Sequence, residues 1–142
     1  MDPVEKIVIE HECARLVHAY CQFVDANDYE RLVPLWAEDA VWHTLAGPAR
    51  GHAQIRKQLE SRDPGVLGRH HCTNVLIDVI DASNAHGRSY FAFYRGVPVA
   101  KGPTLLKGPL FVGEYVDQFK LTSNGWRIAS RRAVATMKNV EA

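Results

Sequence analysis

The residues of this chain that could move a proton are few, and two of them are neighbours. His70 and His71 open the run HHCTNVLIDVI, and Asp25 ends the helix-like segment before a turn, Asp-Ala-Asn-Asp. Tyr20 stands five residues before Asp25, and Arg131 and Arg132 lie in the last apolar run, GWRIASRRAVATM. An imidazole titrates near neutrality, a carboxylate can hold its second N–H, and a phenol or guanidinium can steady developing negative charge. Together they suit cofactor-free proton transfer, as in an elimination or a double-bond shift.

Other chemistries lack their residues. A metal site needs three or four converging ligands, and two adjacent His on opposite faces of a strand plus a distant Cys do not supply them. The sequence holds no Gly-x-Gly-x-x-Gly, P-loop, Cys-x-x-Cys, His-Glu-x-x-His or Gly-x-Ser-x-Gly, so neither a metal nor a cofactor is expected. His11 and His18 fall away from the apolar side of their helix, His52 begins a helix and His86 sits in a turn, which gives these four solvated or structural roles. His43, beside Trp42, fits either kind of role.

The elements that must position these groups follow from the hydrophobic pattern. In residues 4–24, Ile9, Cys13, Leu16, Val17, Tyr20, Cys21 and Val24 recur at steps of three and four, one face of a helix that Asp2 and Pro3 suit as cap and first turn. Asp25 falls at the flank of that face, at the negative helix end. A carboxylate is disfavoured there unless something holds it. Position alone serves equally a turn-opening residue. A short second helix is expected in ANDYERLVPLWAEDA, capped by Asn27 or Asp28 and limited by Pro34. A short strand over residues 40–45, a turn at GPARG and a third helix in HAQIRKQLESR follow. Four β-rich runs then fill the chain: HHCTNVLIDVI, GRSYFAFYRGV, LFVGEYVDQFKL and GWRIASRRAVATM. Helices first and strands after, with no βαβ alternation, predict an α+β fold: a cone-shaped, curved antiparallel sheet with three N-terminal helices closing a central pocket.

Length and composition set the frame. At 142 residues the chain is expected to form one domain over residues 1–142. A net charge of +1 provides no broad basic face, so no nucleic acid or membrane surface is expected as partner. The three cysteines, Cys13, Cys21 and Cys72, sit in apolar patterns and read as buried thiols in a reducing compartment. With neither a secretory signal nor a run of about 20 apolar residues, a cytoplasmic location is expected.

The order of elements, with YCQFVDANDYERLVPLWAEDAVW near the start and HHCTN opening the second strand, resembles the SnoaL-like branch of the nuclear transport factor 2-like superfamily. The resemblance is to the group of scytalone dehydratase, bile acid 7α-dehydratase and hexachlorocyclohexane dehydrochlorinase. It implies a dyad in which a helix-one Asp, here Asp25, holds a His that removes a proton. The family pattern puts that His three residues before the Thr-Asn pair, which selects His70. Strand parity selects His71, which is in phase with Thr73, Val75, Ile77 and Val79. A bulge between His70 and Thr73 would reconcile the two. By resemblance Tyr20, Trp42 and Arg131 are pocket residues, and Gly113 and Tyr115 stand where scytalone dehydratase has Ser and Asn. That enzyme's second pocket His has no counterpart in YRGVP.

The expected catalytic set is therefore His70, Asp25 and Tyr20, with Trp42, Arg131, His71 and Tyr115 as substrate-binding residues. The expected activity is a cofactor-independent dehydratase-type elimination or a double-bond isomerisation, and the expected ligand is a small, apolar, cyclic molecule of steroid, polyketide or aromatic type. The rival is a non-catalytic binding module or a β-subunit-like partner on the same fold, because fold alone does not carry function. In either case one sheet face is left uncovered, so a homodimer or homotrimer is expected.

Overall fold

The computed structural model describes residues 1–141. The first helix, α1 (Pro3–Asp25), starts as its sequence dictates: Asp2 accepts a hydrogen bond from the Val4 N–H at 3.3 Å, and Pro3 occupies the first turn. Its apolar stripe, from Ile9 through Cys13, Val17 and Cys21 to Val24, is buried. The helix α2 (Tyr29–Leu32) is a single turn capped by Asp28, followed by a 3-10 turn, Val33–Leu35. Pro34 lies in that turn, and the chain leaves it extended. The second helix is thus shorter than its pattern suggests, and Trp36 already begins the strand β1 (Trp36–Thr44).

The segment expected to be only a turn, GPARG, instead forms the strand β2 (Gly47–Arg50), paired antiparallel with β1. After α3 (Gly51–Glu60), with Ile55 and Leu59 buried, come β3 (Leu67–Val79), β4 (Asn84–Gly96), β5 (Phe111–Thr122) and β6 (Gly125–Lys138). The six strands make one curved, unclosed sheet in the order β2-β1-β6-β5-β4-β3. It is mixed rather than antiparallel, because β1 pairs with β6 in parallel. These two strands are far apart in sequence, so no hairpin imposes the antiparallel direction on them.

Curvature arises where the register slips: in β1/β6 between Trp36 and Val41, in β3/β4 between Thr73 and Leu76, and in β5/β6 between Gln118 and Phe119. Such bulges bend a strand and sharpen its twist. α1 lies across the concave face, where Trp36, Phe119 and Ile128 are buried with the helix stripe. On the other face Leu76, Tyr90, Val116 and Val134 are exposed. Among the described residues, no helix is long and apolar enough to cross a membrane.

Close packing at the centre of the sheet depends on Gly113. It faces Phe91 across the β4/β5 pair, and Phe91 stacks on Tyr115 with ring centroids 4.6 Å apart. A Cβ on Gly113 would meet two Phe91 ring carbons at 2.9 Å and overlap the Val134 carbonyl oxygen. Gly113→Ala is therefore expected to destabilise the fold by about 1–3 kcal/mol, as overpacking does. Urea unfolding reads this as a lower midpoint, and an unchanged midpoint would contradict the packing described.

Candidate active site

Asp25 is the last residue of α1, and His70 lies near the start of β3. The carboxylate takes both N–H groups that His70 can offer it: ring Nδ1 to Oδ1 at 2.6 Å, and backbone N to Oδ2 at 2.8 Å. This is the partner that a carboxylate at a negative helix end requires. A second compensation comes from Arg62, in the loop after α3, whose Nη1 donates to the Val24 carbonyl at 3.1 Å. It places a cation at a helix end that has no basic residue in its own last turn. An ionised carboxylate can only accept, so with an ionised Asp25 and a neutral imidazole this contact requires the proton on Nδ1 and leaves the lone pair on Nε2. Side-chain exposures of 13% for His70 and 12% for Asp25 leave the pair shielded yet within reach of solvent.

The structure separates the two neighbouring histidines. His70 and Cys72 point toward the interior, and after Thr73 the phase changes so that Val75, Ile77 and Val79 face inward. The change occurs at the register shift between Thr73 and Leu76, where Asn74 adopts φ 53°. Parity counted back from Ile77 misassigns His71 because it ignores this bulge. The bulge that reconciles the two readings does exist, but it follows Thr73 instead of preceding it. His71 is exposed on the opposite side of the strand, its ring 5.1 Å from that of Tyr94. As a residue of the same pocket as His70, His71 is thus corrected by the geometry. His70 itself is stacked on Phe93 at 4.4 Å.

Arg131 does not face solvent beside Arg132. It is fully buried and makes two hydrogen bonds to Asp117, from Nε at 2.7 Å and Nη2 at 2.8 Å, directly across the β5/β6 pair. Its guanidinium lies over the faces of both Tyr20 (4.3 Å) and Tyr115 (4.0 Å), so two ring faces share one cation. Burial works against the charge, but the attraction and hydrogen bonds of Asp117 outweigh it and keep Arg131 protonated. Burial also raises the Tyr20 and Tyr115 phenols, Arg131 opposing it only in part, so both are O–H donors and not bases. Nη1 of Arg131 has no partner among the described residues.

Tyr20, Arg131 and Tyr115 are therefore brought together. Trp42 is level with Arg131 in the β1/β6 pairing and lies 6.1 Å from Trp36, half-buried. Asp117 was missed by sequence reasoning, although it carries a signal: an acid in the buried phase of a strand, with Gly113, Tyr115 and Phe119. Beside the dyad opens a cavity of about 190 Å3, walled by Val24, Asp25, Arg62, Gly68, Phe93 and Arg95. It is neither closed nor purely apolar, since two arginines share its wall with Phe93. A larger cleft of about 490 Å3 lies apart from the dyad, against His52 and Lys120. His52 is structural, its Nε2 lying 2.8 Å from the Trp36 carbonyl oxygen. Among the described residues, no three of His, Cys, Asp and Glu converge as a metal site would require.

A curved mixed sheet crossed by one long helix, with a clamped imidazole at the junction, defines a small α+β protein of the nuclear transport factor 2-like type. Residues 5–132 match the model of the SnoaL-like domain, and the chain belongs to that family. Among solved structures it is similar to a putative scytalone dehydratase from Novosphingobium aromaticivorans, at 22% identity over 97% of this chain and 91% of that one, with a TM-score of 0.81. A Mycobacterium tuberculosis protein described as of unknown function shares 30% identity over 99% of this chain and 79% of that one, with a TM-score of 0.76. A hexachlorocyclohexane dehydrochlorinase of type 3 from Novosphingobium barchaimii shares 15% identity over 97% and 93% of the two chains, with a TM-score of 0.81. No curated protein matches the chain at a significant level.

The Arg131–Asp117 pair makes a direct prediction. Asp117→Asn leaves a buried cation without its counter-charge and is expected to cost about 3–5 kcal/mol of stability. The double variant Asp117→Leu, Arg131→Met removes both charges and is expected to cost less than Asp117→Asn alone. Urea unfolding of the three proteins decides, and a double variant less stable than Asp117→Asn would contradict this account.

Proposed function

We propose that this protein is a cofactor-independent lyase of the dehydratase type, or a double-bond isomerase, in which Asp25 holds His70 as general base for a small, apolar, cyclic substrate. The observation that carries the proposal is the double hydrogen bond from His70 to Asp25, at 2.6 and 2.8 Å. Nε2 takes a proton from the carbon next to a carbonyl group, and Asp25 stabilises the imidazolium that forms. The electrons of the broken C–H bond make the new C=C bond while a hydroxyl leaves the β-carbon. The imidazolium returns its proton to that hydroxyl, which departs as water. In the isomerase variant the proton returns to the γ-carbon and nothing leaves.

Negative charge develops on the carbonyl oxygen, and the interior holds donors for it. The Tyr20 hydroxyl and the unpartnered Nη1 of Arg131 are assigned that role, and they, like Trp42 and Tyr115, stand outside the lining of the cavity beside the dyad. His71 is left out of the site because of its exposed position. The chain is taken to act as one domain in the cytoplasm. The exposed Leu76, Tyr90, Val116 and Val134 on the uncovered sheet face support a homodimer or homotrimer.

A positioned base contributes typically about 10² to 10⁴ in rate. With a panel of cyclic β-hydroxy ketones as substrates, His70→Gln is expected to lower kcat by roughly that factor, and Asp25→Asn by about 10², with KM little changed. Loss in kcat without loss of ligand binding supports the dyad. Full turnover by both variants, or binding by the wild type with no turnover of any β-hydroxy or conjugated ketone, would replace the lyase with a binding role.

A further inference from the structure

Two thiols form a second rung between the elements that hold the dyad. Asp25 and Cys21 are one turn apart on α1, a rise of about 6 Å, and His70 and Cys72 are two residues apart on β3, about 6.6 Å. Both steps lead inward from the Asp25–His70 contact, Cys21 in the buried stripe of α1 and Cys72 in the inward phase of β3. Both thiols face the interior, and each is close enough to shift the other, Cys21 upward and Cys72 downward. Both are free, Cys21 buried and Cys72 half-buried. We propose that Cys21 and Cys72 are an oxidation site, at which hydrogen peroxide joins them in an intramolecular disulfide that staples α1 to β3 beside the dyad. This goes beyond the proposed activity and does not rest on it.

The surroundings divide the two roles. The neighbouring Cys21, with Ser89 and the Arg131 charge, lowers the Cys72 thiol against the opposing effect of burial. The neighbouring Cys72, together with burial, raises Cys21. Cys72 is also the more exposed of the two, so it is the thiol that meets peroxide, and Cys21 is the thiol that resolves the product. The Cys72 sulfur attacks one peroxide oxygen and the O–O bond breaks, giving a sulfenic acid and hydroxide, which takes up the proton lost from Cys72 to become water. The Cys21 sulfur then displaces the hydroxyl from Cys72, the S–S bond forms, and the second water leaves with the Cys21 proton. Two thiols are oxidised and one peroxide is reduced to two waters. Cys13, two turns earlier on α1, is fully buried, and burial pushes its thiol up to about 12. It is the internal control.

The test is treatment of the folded wild type with stoichiometric hydrogen peroxide, followed by intact mass and non-reducing peptide mapping. The expected result is a loss of two hydrogens and a peptide joining Cys21 to Cys72, which dithiothreitol releases. Cys13→Ser is expected to behave in the same way, and Cys21→Ser to stop at a Cys72 sulfenic acid that dimedone traps. Added oxygen on Cys72 of the wild type with no joined peptide would overturn the proposal. A bridge containing Cys13 would do so too, as would three free thiols while glutathione in the same solution is oxidised.

Discussion

A carboxylate at the C-terminal end of a helix is in the wrong field, and the fold around Asp25 is arranged to hold it there. The opposing charge is partly supplied by Arg62 at the Val24 carbonyl, but the direct restraint is His70, which donates twice to the one carboxylate. Because one of those donors is backbone, the contact ties the end of α1 to the start of β3 and not just to a side chain. Because the other is the imidazole, the same contact selects a tautomer. Structural and chemical consequences thus come from one group, and a residue that stabilises the junction also orients the imidazole.

The rest of the sheet serves that junction. β3 must present His70 to the helix end and, further along, pack Val75, Ile77 and Val79 under the same helix. A regular strand cannot do both from this sequence, and the bulge at Asn74 allows it. On the concave face the chain places a full positive charge against the faces of two tyrosine rings and balances it with Asp117. A buried ion pair of this kind is weak as a source of stability, since apolar residues of similar volume often do as well. Its effect is to give an otherwise apolar interior a fixed cation with one nitrogen unpaired. That is an asymmetric environment suited to charge that appears during a reaction.

Much of this was legible in the residues because it is local. The stripe from Ile9 to Val24, the Asp2 cap and the interruption at Pro34 depend on spacing within a turn or two, and each sits where its pattern demands. Choosing His70 over His71 needed the family pattern, since parity along β3 is reversed by a single residue near Asn74. The parallel pairing of β1 with β6 and the conversion of GPARG into a strand are non-local, set by which edges meet after the chain has folded. Asp117 shows a third kind of limit. An acid in the buried phase of a strand signals a partner, but which of Arg127, Arg131 and Arg132 it meets depends on a register shift in β5/β6. Burial of Arg131 could not be read for the same reason, whereas its place on the last strand could.

The central claim is that Asp25 fixes the protonation pattern of His70, and nitrogen-15 NMR of the imidazole tests it most directly. In the wild type at a pH where the ring is neutral, this account predicts a protonated Nδ1 and an unprotonated Nε2, with the Nδ1 proton shifted downfield by its short hydrogen bond to Asp25. In Asp25→Asn, the side-chain amide has one acceptor oxygen where the carboxylate gives each N–H group of His70 its own, and the tautomer preference is expected to collapse toward a mixture. A His70 that carries its proton on Nε2 in the wild type, or whose ring signals are unchanged in Asp25→Asn, would contradict the account.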